Sequence, residues 1–218
     1  TYAVLLGIVL VAALSATVHA GPFDQDNRDF TLYFTVNGYE LDNWFGEPSA
    51  VALDERSGLI YVADSKAGCI YAFSLQGIAR FMYGSKNGLK SPLGLAVDKQ
   101  GNIYVSENEG GPIKIINSKG EVSALEISAV EGEEAPKPGR ISLDQDGNLY
   151  VVERANCRVY VFDKERKLKF KFGGIGNKRG QFKMLQDVAV DRQGRIYALD
   201  SVGTPMHVFD RKGKYIYR

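Results

Sequence analysis

The chain is poor in the residues that most enzyme and metal sites depend on. Two of its 218 residues are cysteine and two are histidine, which excludes a disulfide-stapled scaffold and a four-cysteine zinc cage. His19 falls in an apolar leader-like stretch, leaving His207 alone, so zinc sites and histidine-dependent nucleophilic triads lack their usual parts. An excess of either charge is also absent. Lysine and arginine number 27 against 26 aspartates and glutamates, a net charge of +1, which supplies no overall electrostatic footprint for nucleic acid. No G-x-x-x-x-G-K-[ST] loop occurs, and Gly173-Gly174-Ile175-Gly176 neither has dinucleotide-binding spacing nor opens a helix. Asn-x-Ser/Thr sequons are missing, and nothing beyond the first twenty residues holds a helical period.

What is present is an ordinary globular composition, 44% hydrophobic and 24% charged, in a length that suits one large domain. Ala3 to Leu14 is an unbroken apolar run, followed by small residues with Val18 and Ala20 placed like an A-x-A cleavage site. Residues 1–20 are therefore expected to be a secretory signal, cleaved after Ala20, with a secreted or periplasmic product. The run is short against the roughly 20 apolar residues of a bilayer span. An uncleaved N-terminal anchor is the alternative, and the only expected route to a membrane. No basic region precedes the run, so the leader is expected to begin upstream of Thr1.

From residue 21 on, the chain repeats. Ile60 to Asp64, Ile103 to Glu107, Leu149 to Glu153 and Ile196 to Asp200 are four versions of one strand, their tyrosines 43, 46 and 47 residues apart. Each follows a strand (Ala50 to Asp54, Leu93 to Asp98, Arg140 to Asp144, Asp187 to Asp191). Each precedes a third (Cys69 to Phe73, Ile113 to Asn117, Arg158 to Asp163, Met206 to Asp210) and a fourth (Ile78 to Tyr83, Val122 to Ile127, Leu168 to Phe172, Tyr215 to Tyr217). Asp98, Asp144 and Asp191 each stand three residues before a turn glycine, a device for accepting turn amides and supplying a positive φ. Four short antiparallel strands per repeat predict an all-β fold, a β-propeller of four-stranded blades. Upstream, Thr31 to Val36 and Tyr39 to Phe45 around Asn37-Gly38 add half a blade. The ring is expected to need further strands after Arg218.

The motifs Phe172-Gly173-Gly174, Gly180-Gln181-Phe182, DVAVD, GRIYALDS and MHVFDRKG, with Ser91 to Asp98 (SPLGLAVD), resemble the NHL-repeat consensus over roughly residues 38 to 218. The pattern departs at Met184-Leu185-Gln186 and at Gly139-Arg140-Ile141. The resemblance implies a six-bladed ring that binds through the face carrying the loops between second and third strands and the crossovers between blades. Cytosolic NHL propellers that bind RNA use a basic face, which the neutral charge and the leader argue against here.

Two sets of residues are candidates for that face. Asp64, Glu107, Glu153 and Asp200 end the second strands, where they would either hold Ca²⁺ with oxygen ligands or accept amides of their own loops. Glu107 and Glu109 with Glu131, Glu133 and Glu134 predict an acidic sector beside the second blade. Arg154, Arg158, Lys178, Arg179 and Lys183 predict a basic sector beside the third and fourth, a two-signed face suited to steering a charged partner. Cys69 and Cys157 start equivalent strands two blades apart, beyond the roughly 7 Å that a disulfide spans. The expected function is a non-catalytic module for a protein, peptide or glycan, without a cofactor. The alternative is a Ca²⁺-dependent hydrolase or lactonase resembling the gluconolactonase and strictosidine-synthase-like groups.

Overall fold

The computed structural model describes residues 45–203 and 206–217. The leader and most of the expected half blade lie outside the described residues. Sixteen strands form four antiparallel sheets, each of four strands in sequence order. The first blade is β1 (Pro48–Asp54), β2 (Leu59–Asp64), β3 (Cys69–Ser74) and β4 (Ala79–Tyr83). The second is β5 (Pro92–Val97), β6 (Ile103–Glu107), β7 (Ile113–Ile116) and β8 (Val122–Leu125). The third is β9 (Pro138–Leu143), β10 (Leu149–Glu153), β11 (Arg158–Phe162) and β12 (Leu168–Gly173). The fourth is β13 (Leu185–Val190), β14 (Ile196–Asp200), β15 (Met206–Phe209) and β16 (Tyr215–Tyr217). The fold is the expected β-propeller of stacked four-stranded blades.

The repeat folds this way because no blade can cover both its faces alone. Every residue of β6 and β10 is buried, as a sheet packed on two sides requires, whereas β4 and β8 are largely exposed at the rim. The first strands line the axis, β1 packing on β5, β5 on β9 and β9 on β13. Between the third and fourth blades, Val152, Val159 and Val161 meet Leu185, Ile196 and Phe209. Phe182 enters that layer from the crossover and is fully buried. Its ring occupies the place a Cβ on Gly173 would take, 2.7 Å away, and Gly173 itself has φ of +96°. That explains the Gly-Gly and Gly-Gln-Phe spacing: the glycine removes a side chain so that an aromatic from eight or nine residues on can seal the interface.

The turns opposite the loop face behave as the sequence implies. Asp98 accepts the N–H groups of Gln100 and Asn102 and the Tyr104 hydroxyl, and Asp144 and Asp191 repeat the pattern with Tyr150 and Tyr197. In these three blades the repeat's tyrosine is thus the partner of its turn aspartate.

A feature not foreseen is a register shift near the start of every first strand, between Pro48 and Ala50, Pro92 and Gly94, Val151 and Glu153, and Leu185 and Asp187 in the four pairings. A bulge leaves backbone groups without ladder partners. In the first two blades Arg140 supplies them, donating to the carbonyls of Ser49 and, at 3.0 Å, Leu93. The departure at Gly139-Arg140-Ile141 therefore has a structural reason. Gly94 is forced by the same crowding, since a Cβ there would lie 2.3 Å from the Gly139 carbonyl oxygen.

The third blade also holds the second from below. In the last turn of each repeat Gly77, Gly120 and Gly213 take a left-handed conformation, and Arg166 takes it in the third with φ of +65°. Its guanidinium donates to the Tyr104 hydroxyl, lies 4.5 Å from that ring's centroid and stands 3.6 Å from Asp98. An arginine at a glycine position exchanges backbone strain for an inter-blade contact. Replacing Arg166 by alanine keeps the strain and loses the contact, for an expected cost of about 1–3 kcal/mol. Glycine loses the contact but relieves about 1 kcal/mol of strain, so urea midpoints should rank wild type above R166G above R166A.

Candidate functional site

The four strand-end carboxylates are buried, and each is engaged within its own blade. Asp64 accepts the N–H groups of Gly46, Glu47 and Ala67 at 2.6–3.0 Å. Glu153, fully buried, accepts Lys137, Ala155 and Asn156. Asp200 accepts Lys183, Met184 and Val202. Glu107 accepts Lys90 and Ser91 and pairs with Lys114 at 2.8 Å. In every blade the carboxylate joins the crossover into the first strand to the end of the second. A backbone bond from the next residue repeats the link: Ser65 to Glu47, Asn108 to Ser91, Arg154 to Lys137 and Ser201 to Met184. The oxygens thus already accept N–H groups within their own blade, and no three His, Cys, Asp or Glu side chains converge among the described residues.

The outer candidates sit on the same face. Glu109, Glu131 and Glu134 are exposed, as are Lys178, Arg179 and Lys183. The two predicted sectors do not stay apart, however. Arg158 folds onto Glu133 in an ion pair, and Arg154 reaches the second blade, donating to the Asn108 carbonyl at 2.6 Å. The Arg158 pair holds Glu133 below its usual carboxylate range. Arg154 and Arg158 are consequently struts of the loop face, and of the five predicted basic residues Lys178, Arg179 and Lys183 stay exposed. A small cavity of about 130 Å³ opens in the second blade among Lys90, Glu107, Glu109, Gly110, Pro112 and Lys114.

Two residues missed by the sequence reading lie at the same inner position of their first strands, Arg140 in β9 and Asp187 in β13. Burial pushes the Asp187 carboxyl up, partly offset by the Val188 N–H and the charge of Arg140. In the other blades that position holds Ala50 and Gly94, so only the repeat alignment singles the pair out. Cys69 and Cys157 are both buried and free, as expected.

A family model described as a 6-bladed β-propeller matches residues 134–218. NHL repeat-containing protein 2 of Gallus gallus is 26% identical over 182 residues, covering 68% of this chain and 24% of its own length. Among solved structures, catalytically inactive H270A virginiamycin B lyase from Staphylococcus aureus with quinupristin aligns at a TM-score of 0.62 and 17% identity, over 78% of this chain and 55% of that one. A chain of the nidogen/laminin complex aligns at 0.62 and 20% identity, over 79% and 63%. These matches define a β-propeller and support the NHL-repeat family. The chain spans about a quarter of the length of its NHL relative and less than two thirds of either solved chain.

Burial alone would raise the Asp200 carboxyl, but the N–H groups of Lys183, Val202 and Met184 outweigh it and hold the group below the usual aspartate range. A depressed carboxylate contributes stability above its unfolded pKa of about 3.9 and loses it as pH falls through the folded value. Asp200→Asn should therefore destabilise by about 1–3 kcal/mol at neutral pH, the deficit shrinking below about pH 4. Asp187, raised by burial, has the opposite sign: Asp187→Asn should gain on wild type as pH climbs from about 4 to 7. Urea midpoints followed from about pH 7 down to below about pH 4 check both.

Proposed function

We propose that the chain is a non-catalytic recognition module that holds a protein, peptide or glycan on its loop face. One observation carries this reading. The residues that could do chemistry, the four strand-end carboxylates, are tied up in the blades, while the charged side chains left in solvent cluster on the loops that the blades hold rigid. Rigid scaffolds with variable loops are built for binding. The NHL likeness supports a protein-binding propeller, and one structural neighbour was solved in a complex of two proteins.

The proposal includes export. Cleavage after Ala20 would release the propeller as a secreted or periplasmic domain, and an uncleaved leader would tether it to a membrane. Among the described residues no helix is long and apolar enough to cross one. The proposed partner is not nucleic acid, since the loop face carries both signs of charge and the net charge is +1.

The recognition reading predicts that peptide and glycan arrays retain the protein, with or without a chelator. Replacing Glu131, Glu134, Lys178, Arg179 and Lys183 together by alanine should abolish retention while moving Tm by less than about 4 °C, because exposed charges contribute little to stability. Calcium-dependent turnover of a lactone or ester, lost in Glu107→Gln, would overturn the reading in favour of the hydrolase.

A further inference from the structure

The basic part of the loop face is also its apolar part. Ile175, Met184 and Val202 are 64%, 50% and 42% exposed, and the structure brings them together although 27 residues separate the first from the last. The N–H groups of Met184 and Val202 bond to the same Asp200 carboxylate. Ile175 bridges to Phe182, two residues before Met184. Lys183 lies between them and runs its stem over Gly203, 3.7 Å from where a Cβ would stand. Lys178 and Arg179 project from the turn closed by the Gln181 N–H on the Lys178 carbonyl and the Lys178 N–H on the Gln181 side chain.

The scaffold beneath is rigid. The crossover is laced to itself through Gly176 N–H to Phe182 O and Phe182 N–H to Gly174 O, and Phe182 is anchored in the core. Scattered exposed aliphatics need no explanation. Three of them carried on loop backbone that hydrogen bonds hold together, beside three exposed cations to which no carboxylate is bonded among the described residues, form a preorganised surface.

We propose that this patch binds an acidic peptide segment of a partner, one aliphatic side chain seating on Ile175, Met184 and Val202 while flanking carboxylates meet Lys178, Arg179 and Lys183. This rests on the loop-face recognition reading and names the chemistry of its partner. An anionic membrane fits less well, because a flat bilayer resting on this face would also meet the exposed carboxylates of Glu109, Glu131 and Glu134. A single extended segment touches the cationic side alone.

The test uses the full chain and a fluorescent peptide library in which a central Leu, Met or Gly is flanked either by Asp and Glu or by Asn and Gln. Acidic members with Leu or Met should bind best, and affinity should fall as salt rises. Joint Lys178→Glu, Arg179→Glu and Lys183→Glu should weaken binding at least about tenfold. Met184→Ser should weaken it severalfold, and Glu131→Lys with Glu134→Lys should leave it intact. All these side chains are exposed, so each variant should keep its urea midpoint.

Binding indifferent to the triple reversal or to Met184→Ser overturns the inference. So does stronger capture on vesicles of anionic phospholipid, lost in the triple reversal, which assigns the patch to a lipid surface. If no library member binds while arrays still retain the protein through the acidic loop, this site is wrong and loop-face recognition stands. If nothing is retained on any array, both fall.

Discussion

Each blade depends on one interaction, a buried carboxylate at the end of the second strand that accepts backbone N–H groups from the crossover into the first. Without it the crossover would leave several amides unpaired in the interior, each costing about 1–3 kcal/mol. With it, charge-assisted bonds fix where the first strand starts and therefore how close it comes to the axis. The aliphatic layers between blades pack only because the first strands are seated this way. The carboxylate also sets the loop above it, which is why a structural residue determines the shape of the loop face.

The blades are not equivalent, and the difference lies in arginine. The third blade sends Arg140 into the axis, Arg154 over the loop face and Arg166 beneath, and each reaches the second blade. A repeat array gains stability from nearest-neighbour interfaces, and these three side chains strengthen one interface selectively. They also consume basic charge that composition alone would assign to a partner. Of the five basic residues predicted for this sector, Lys178, Arg179 and Lys183 remain exposed, on or beside the crossover that carries the exposed Ile175 and Met184.

Strand order and the turn devices were legible because they rest on local chemistry. The repeat marks β6, β10 and β14, whose bounds are those read from the sequence, and an aspartate three residues before a glycine announces its turn. The first strands start two residues earlier than alternation suggests in three blades, because the bulges break the period there. The loop face was half legible. Its charged residues stand out in the sequence, but whether an arginine folds back depends on a contact such as Glu133 with Arg158, whose members are 25 residues apart. Ile175, Met184 and Val202 carry no period and belong to two loops, the β12–β13 crossover and the β14–β15 loop, so only the folded chain makes them neighbours.

The central claim is that the strand-end carboxylates serve the backbone. Amide hydrogen exchange read residue by residue, in chelator and then in excess Ca²⁺, tests it most directly. The account predicts that the N–H groups of Lys137, Ala155, Lys183 and Met184 are protected to the same degree in both. Rapid exchange in chelator that becomes slow on adding Ca²⁺ would contradict it, because those carboxylates would then be metal ligands and the face above them an active site.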